Sequence, residues 1–223
     1  MIKTLFLDAD DTVFDFDAAQ KAALKGAFET LGYPFDDELY DLYDKINIKY
    51  WKMLERGETV KEKLIYDRFY EFFDRSGICG DVYKTEDEYQ IRLGNQAFWW
   101  DGAKEGVEYL SKKYDVFITT NGHGDTQRNR IKLSGLDKFV KGIFISELIG
   151  YAKPQKEYFE YCLKQSGADK ESTACIGDSL TSDIKGGINA GLKTVWCNFK
   201  NQPMPDLKID YVVKSWKEIC EIL

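Results

Sequence analysis

The chain has 223 residues, of which 43% are hydrophobic and 31% are charged, so it is long enough to bury the core of a globular protein. Its net charge of −7 argues against a surface that binds a nucleic-acid polymer, because such surfaces carry an excess of Lys and Arg. Small anionic substrates are compatible with this charge if a metal ion or a few cations lie at the site.

Cysteine and histidine usage argues against several kinds of site. No two of the five cysteines form a close pair or a CxxC motif, which predicts free thiols in a reducing cytoplasm. The only histidine, His123, leaves little material for a His-rich zinc site or a Ser-His-Asp triad. The apolar run at residues 2–7 is short and ends in acidic residues, unlike a signal peptide, and no apolar stretch approaches membrane-spanning length. We therefore expect a cytoplasmic protein without membrane contact.

The first predicted element is a buried strand at residues 2–7, where the apolar run is rich in β-forming residues. Three carboxylates, those of Asp8, Asp10 and Asp11, follow it within four positions. Like charges this close repel one another, so the cluster requires either open water or a cation.

Residues 16–96 have the periodicity of helices and no strand pattern. Helices are expected over residues 18–31 and 37–55, and at two starts marked by the capping-box patterns Thr59-x-x-Glu62 and Thr85-x-x-Glu88. We therefore expect an all-α domain over residues 16–96, inserted into a core formed by residues 1–15 and 97–223.

After residue 102, predicted helices and strands alternate with short connections. The strands are expected at residues 116–120, 142–145, 173–176, 194–197 and 210–213, and the helices at residues 103–114, 127–133, 156–165, 182–190 and 216–222. This alternation predicts an α/β core with a doubly wound parallel sheet, whose ligands lie beyond the carboxyl ends of the strands.

Polar residues of particular kinds follow four of the predicted strands. They are Asp8 and Asp10 after the first strand, Thr120 and Asn121 after the second, Lys153 after the third, and Asp178 and Asp183 after the fourth. A doubly wound sheet brings these strand ends to one edge. Mg²⁺ prefers carboxylate oxygens together with phosphate oxygens and would offset the repulsion among the carboxylates. The combination favours phosphoryl transfer.

The four motifs, in this order, resemble those of the haloacid-dehalogenase-like superfamily of aspartyl-phosphate hydrolases. They are Asp8-x-Asp10-x-Thr12, the strand that ends in Thr120, Lys153, and Gly177-Asp178-x-x-x-x-Asp183. The resemblance covers the whole chain and implies a Rossmann-like core. The helical insertion directly after the first motif is similar to the family's first-type cap, a lid over the active site.

The resemblance also implies catalytic roles. Asp8 would attack phosphorus and form an aspartyl phosphate, and Asp10 would protonate the leaving oxygen and then take a proton from water. Thr120 and Asn121, with nearby backbone amides, would hold phosphoryl oxygens. Lys153 would neutralise charge on the phosphate and on Asp8.

The metal site implied by the resemblance holds Mg²⁺. Its ligands would be the carboxylates of Asp8 and Asp178 and the main-chain carbonyl of Asp10. Asp183 would orient this shell, by direct contact or through water.

The commonest family form has Gly where this chain has Asp11. With an acidic residue at this position, the chain resembles one branch of the family. This branch consists of the cytoplasmic nucleotidase-like members that act on pyrimidine and non-standard nucleoside monophosphates. For Asp11 itself the sequence favours a solvated turn residue over a catalytic role. The expected substrate is therefore a small phosphorylated metabolite, with a nucleoside monophosphate as the leading candidate.

Three alternatives stay open. The first is a phosphatase for sugar phosphates or phosphoglycolate. The second is a 2-haloacid dehalogenase, which Asp10 argues against because such members lack the second aspartate of the first motif. The third is a binding protein on a catalytically retired scaffold, which the intact motifs argue against.

Three further residues are candidates for substrate contact. Phe14 and Phe16 lie where the core passes into the helical insertion, where they would either stack on a base or pack at the hinge. His123 follows the predicted phosphate-binding segment and is within reach of substrate, although the family motif does not require it.

Overall fold

The apolar run at the N-terminus forms a strand, β1 (Thr4–Asp8), in which all five residues are buried. In the computed structural model, which describes residues 1–223, this strand belongs to a six-stranded parallel sheet. The remaining strands are β2 (Asp115–Thr120), β3 (Gly142–Ile145), β4 (Thr173–Gly177), β5 (Lys193–Cys197) and β6 (Tyr211–Val213).

The order of the strands decides where a ligand can bind. It is β3-β2-β1-β4-β5-β6, and every neighbouring pair is parallel. The chain leaves β1 toward one edge of the sheet and later continues toward the other, so β1 lies at the topological switch point. Sheets of this kind bind ligands in the crevice at that point, beyond the carboxyl ends of the strands. The predicted doubly wound α/β fold is confirmed.

The chain divides into two compact units. The core unit consists of Met1–Phe16 and Ala97–Leu223, and the helical unit consists of Asp17–Gln96. The helices are α1 (Phe16–Leu31), α2 (Asp37–Glu55), α3 (Lys61–Ser76), α4 (Val82–Gly94), α5 (Ala103–Ser111), α6 (Gly124–Ser134), α7 (Ser146–Ile149), α8 (Lys156–Ser166), α9 (Lys185–Ala190) and α10 (Trp216–Ile222). None of these helices is both long enough and apolar enough to cross a membrane.

Apolar packing on both faces of the sheet explains why β1 reads as a continuous apolar run. Leu5 and Leu7 belong to a buried cluster that includes Val107 of α5. Phe6 points to the opposite face, where it packs in a second cluster with Phe159 of α8. A parallel strand covered on both faces requires apolar side chains at consecutive positions.

Neither predicted capping box forms. Thr59 lies one residue before the N-cap of α3, which is Val60 and makes no side-chain capping bond. Thr85 is buried inside α4 and donates from its hydroxyl to the carbonyl of Asp81. The Asp81 carboxylate accepts from two backbone N–H groups of the first turn, so it starts α4 earlier than predicted.

Two predicted helices in the core unit also start at a different residue from the prediction. α6 begins at Gly124 rather than at residue 127. The helix predicted at residues 182–190 consists of a π-helical turn at Leu180–Ile184 followed by α9 (Lys185–Ala190). Both differences lie beside the carboxyl end of the sheet, where side chains of the site occupy the first helical turns.

A buried ion pair lies at the centre of the helical unit. The Arg68 guanidinium donates to the Glu86 carboxylate at 2.5 Å and to the Asn47 side-chain oxygen at 2.7 Å. Burial opposes the charge on Arg68, yet the Glu86 carboxylate holds the pKa of Arg68 above its ordinary value. The guanidinium also lies within cation–π distance of three aromatic rings, which are those of Tyr43, Phe69 and Tyr89.

Replacing Arg68 with Met is expected to destabilise the helical unit by about 3–5 kcal/mol, because Glu86 is left buried without a cation. Arg75→Met on the same helix is the control, since Arg75 is exposed in its pair with Glu71 and its removal is expected to have a much smaller effect. Urea unfolding followed by circular dichroism measures both. Equal stability of the two variants would show that the buried pair does not hold the unit together.

Candidate active site

The site begins with Asp8, the last residue of β1, whose carboxylate is buried. Its Oδ1 accepts a hydrogen bond of 2.6 Å from the ammonium of Lys153. The same ammonium donates to Oδ1 of Asp183 at 2.6 Å and to the carbonyl of Thr119 at 3.0 Å. All three N–H donors of Lys153 are therefore used, and one buried cation joins β1, β2 and the segment after β4.

Asn121 positions this lysine. Its side-chain nitrogen donates to the Lys153 carbonyl at 2.9 Å, and its side-chain oxygen accepts from the Lys153 backbone N–H at 3.0 Å. The sequence predicts a direct phosphate contact for Asn121. In the structure, its side chain binds the main chain of Lys153 on both sides and so fixes where the ammonium can reach.

Asp183, after β4, has room for its carboxyl group because residue 177 is a glycine. A Cβ at Gly177 would lie 2.3 Å from the carboxyl carbon of Asp183, so no larger residue fits there. The Asp183 carboxylate also accepts from the backbone N–H of Ser179 at 3.2 Å. Carboxylate oxygens of Asp8, Asp178 and Asp183 all lie within 4.8 Å of one another.

One buried ammonium, that of Lys153, binds two of these three carboxylates, and the pKa values of Asp8 and Asp178 are raised. Burial, followed by the charge of Asp183, raises the pKa of Asp8 well above its usual value against the opposing effect of Lys153. Burial and the charge of Asp8 raise the pKa of Asp178 in the same way. Burial opposes the charge on Lys153, but Asp183 and Asp8 raise the pKa of its ammonium. Three close carboxylates with hard oxygen donors and an excess of negative charge fit a divalent cation.

Asp11 has a structural role that the sequence did not reveal. Its backbone is in the left-handed region, with φ of 55°, a conformation that glycine adopts at the lowest cost. Its carboxylate accepts from the backbone N–H of Phe16 at 3.2 Å and pairs with the ammonium of Lys200 at 2.8 Å. Asp11 therefore ties the turn after β1 to the start of α1 and to the segment after β5.

The side chain of Asp10 points to α6, where two residues that the sequence reasoning missed bind it. Gln127 donates to Oδ2 of Asp10 at 2.7 Å, and Arg130 donates to Oδ1. Gln127 also donates to the hydroxyl of Thr120 at 2.7 Å, so the predicted proton-transfer and phosphate-binding residues are joined. The sequence feature that could have indicated them is a Gln and an Arg three residues apart, a spacing that places both on one face of the helix after β2.

The three candidate substrate contacts differ in exposure. Phe14 is fully buried and its ring packs 5.5 Å from that of Trp99, so it is a packing residue and its ring offers no surface to a base. Phe16 is partly exposed. His123 is also partly exposed at the start of α6, and its Nδ1 is buried without a hydrogen-bond partner.

Comparison with known proteins identifies the family. A family model described as haloacid dehalogenase-like hydrolase matches residues 2–191. The chain belongs to the haloacid dehalogenase-like hydrolases. Among members of this family, YfnB of Bacillus subtilis, which is named as a HAD-hydrolase, is 37% identical to this hydrolase over 99% of this chain and 95% of YfnB. A crystal structure of YfnB bound to magnesium has a TM-score of 0.94, with 36% identity over 99% of this chain and 98% of that one.

Two further relatives carry a named activity. The pyrimidine 5′-nucleotidase PynA of Streptococcus pneumoniae is 36% identical over 99% of this chain and 94% of PynA. The pyrimidine 5′-nucleotidase YjjG of Escherichia coli is 29% identical over 98% of this chain and 96% of YjjG. Both alignments span nearly the full length of this haloacid dehalogenase-like hydrolase.

Two substitutions of Asp11 are expected to separate the contribution of its backbone conformation to stability from that of its side-chain bonds. Asp11→Ala loses both side-chain bonds and keeps a β-carbon in the left-handed conformation, whereas Asp11→Gly loses the same bonds but also removes that β-carbon and its strain. Asp11→Gly is therefore expected to be more stable than Asp11→Ala by about 1 kcal/mol. Urea unfolding followed by tryptophan fluorescence measures the difference. An Ala variant as stable as the Gly variant would contradict the backbone assignment.

Proposed function

We propose that this hydrolase is a phosphomonoesterase that forms an aspartyl phosphate on Asp8. The observation that carries the proposal is the buried Asp8 carboxylate, bound by Lys153 and within 4.8 Å of the carboxylate oxygens of Asp178 and Asp183. A carboxylate beside a cation is suited to attack an anionic phosphate, because the cation reduces the repulsion between the two.

Mg²⁺ is the proposed cofactor. Asp8, Asp178 and the carbonyl of Asp10 would hold it, with Asp183 orienting that shell. When bound, it supplies positive charge to the phosphoryl oxygens and to the nucleophile. The magnesium-bound crystal structure of the relative YfnB supports this choice, as does the excess of carboxylates over ammonium groups at the site.

The side chains of this protein would carry the remaining steps. Asp8 attacks phosphorus while Lys153 neutralises charge on the phosphoryl group. The hydroxyl of Thr120 and the backbone amides after it hold phosphoryl oxygens, and Asn121 contributes by fixing Lys153. Asp10 gives a proton to the leaving oxygen and later takes one from the water that attacks the aspartyl phosphate, so the second step regenerates Asp8 and releases phosphate.

The substrate class that we propose is pyrimidine or non-standard nucleoside monophosphates, which makes the enzyme a 5′-nucleotidase. The names of PynA and YjjG, whose alignments cover nearly all of this chain, support this choice. Asp10 argues against haloacid dehalogenation, because a halide leaves without needing a proton.

Purified enzyme with Mg²⁺ is expected to release phosphate from UMP, dUMP and dTMP with a higher kcat/KM than from phosphoglycolate or sugar phosphates. Asp8→Asn is expected to abolish release, and Asp137→Asn, at an exposed position, is expected to leave it unchanged. Phosphate release over the substrate panel, with and without EDTA, measures both. An Asp8→Asn variant as active as the wild type would refute the mechanism, and a preference for sugar phosphates would refute the substrate class.

Mg²⁺ is expected to raise the melting temperature of the wild type by about 5–10 °C at a concentration 100-fold above its dissociation constant. Asp178→Asn is expected to lose this shift. Without metal this variant is expected to be at least as stable as the wild type, because burial and the charge of Asp8 penalise the ionised carboxylate. Asp206→Asn, at an exposed position, is the control. A full Mg²⁺ shift in Asp178→Asn would exclude Asp178 as a ligand.

A further inference from the structure

Both carboxylate oxygens of Asp10 are bound by side chains of one helix. Gln127 donates to Oδ2 at 2.7 Å, and Arg130 donates to Oδ1. Gln127 and Arg130 each have only 1% of their surface exposed, whereas 27% of the Asp10 side chain is exposed. Two buried donors therefore hold a carboxylate that still reaches solvent.

These donors are themselves held in place. They lie three residues apart on α6 and so share one face of the helix, and Arg130 donates to the side-chain oxygen of Gln127 at 3.0 Å. The Arg130 guanidinium carbon lies 4.9 Å from the centre of the Phe14 ring and 5.9 Å from that of Phe16. The burial of Phe14 thus has a second consequence, since its ring supports the cation that binds Asp10.

Gln127 also connects Asp10 to the predicted phosphate-binding segment. Its side-chain nitrogen donates to both Asp10 and the Thr120 hydroxyl, each at 2.7 Å. A Cβ at Gly122 would lie 2.5 Å from that nitrogen, so the glycine after Asn121 makes room for this contact. The distance between Asp10 and Thr120 is therefore set by one side chain.

We propose that Gln127 and Arg130 are positioning residues that aim the Asp10 carboxyl group at the leaving oxygen. The inference rests on the proposed function of Asp10. As a carboxylate oxygen of Asp8 bonds to phosphorus and the bond between phosphorus and the ester oxygen breaks, the proton moves from Asp10 to the ester oxygen, which leaves as an alcohol. Water then attacks the phosphorus, one of its protons returns to Asp10, and the bond between phosphorus and Asp8 breaks, which releases phosphate. A carboxylate has about four acceptor positions, so the two bonds from α6 leave room for the proton.

The orientation of the Asp10 carboxyl group matters because proton transfer requires the donor and acceptor heavy atoms to lie about 2.6–3.2 Å apart. Asp10 lies on a turn and is partly exposed, so its side chain alone has several rotamers available. Two fixed donors restrict it to one orientation, and the shared bond to Thr120 places that orientation relative to the phosphoryl group.

Substrates with different leaving groups distinguish a role in positioning Asp10 from a merely structural role of Gln127 and Arg130. The 4-nitrophenolate of p-nitrophenyl phosphate leaves without a proton, whereas the alkoxide of an alkyl monoester such as a nucleoside monophosphate needs one. Since kcat/KM reports only the steps through formation of the phosphoenzyme, the ratio of kcat/KM for the two substrates isolates the acid function of Asp10. Both values come from one preparation, so the ratio does not depend on the fraction of folded enzyme.

The experiment compares Arg130→Met, Gln127→Met, Asp10→Asn and the control Arg128→Met, which changes an exposed arginine of the same helix. Arg130→Met is expected to lower kcat/KM about 100-fold for the best alkyl monoester of the panel and less than about 5-fold for p-nitrophenyl phosphate. Asp10→Asn is expected to show the same pattern more strongly, and Arg130→Lys is expected to recover part of the loss. Arg128→Met is expected to match the wild type.

The outcomes separate this inference from the proposed function. If Asp10→Asn loses no more activity on alkyl monoesters than on p-nitrophenyl phosphate, the proposed acid role of Asp10 is wrong. In a second outcome, Asp10→Asn shows the expected pattern while Arg130→Met and Gln127→Met lower kcat/KM equally for the two substrates, or for neither. That result overturns the positioning inference. Should Arg130→Met not fold, Gln127→Met carries the same test.

Discussion

The ammonium of Lys153 is the interaction on which the rest of the site depends. It is buried, and its three donors bind Asp8, Asp183 and the Thr119 carbonyl. Without it, two buried carboxylates would face each other with no cation, a state that costs several kcal/mol. The parallel sheet makes this contact possible, because β1 lies between β2 and β4 and their carboxyl ends meet. Asn121, which binds the main chain of Lys153, completes the placement.

The fold and the central charges of the site were predictable from the sequence. The alternation of predicted strands and helices indicated a parallel sheet. The polar residues after its strands indicated which carboxylates and which lysine would lie close together. In the structure, the Lys153 ammonium donates hydrogen bonds to both Asp8 and Asp183. This part succeeds because the topology of a doubly wound sheet fixes which strand ends are neighbours.

Contacts that depend on side-chain packing were not predictable. Gln127 and Arg130 were missed because their spacing places them on one face of α6 but does not show that this face lies toward Asp10. The burial of Phe14 depends on Trp99, which is distant in sequence. The capping boxes were wrong because a pattern of two residues does not reveal a competing cap such as Asp81.

The acidic segment after β1 divides into three different environments. Asp8 binds Lys153, Asp10 binds Arg130, and Asp11 binds Lys200. Three carboxylates within four positions are therefore tolerated because each is paired with a different cation, from a different part of the chain. This separation leaves Asp8 beside Asp178 and Asp183, and it keeps Asp10 on the side of α6.

The central claim is that Asp8 is the nucleophile, and chemical trapping of the intermediate tests it most directly. The enzyme is mixed with p-nitrophenyl phosphate and Mg²⁺, quenched in acid, and treated with borohydride, which reduces an acyl phosphate to an alcohol. Peptide mass spectrometry then locates the modified residue. The account predicts conversion of Asp8 to homoserine. Modification of Asp10, Asp178 or Asp183 instead, or phosphate release without any trapped residue, would contradict it.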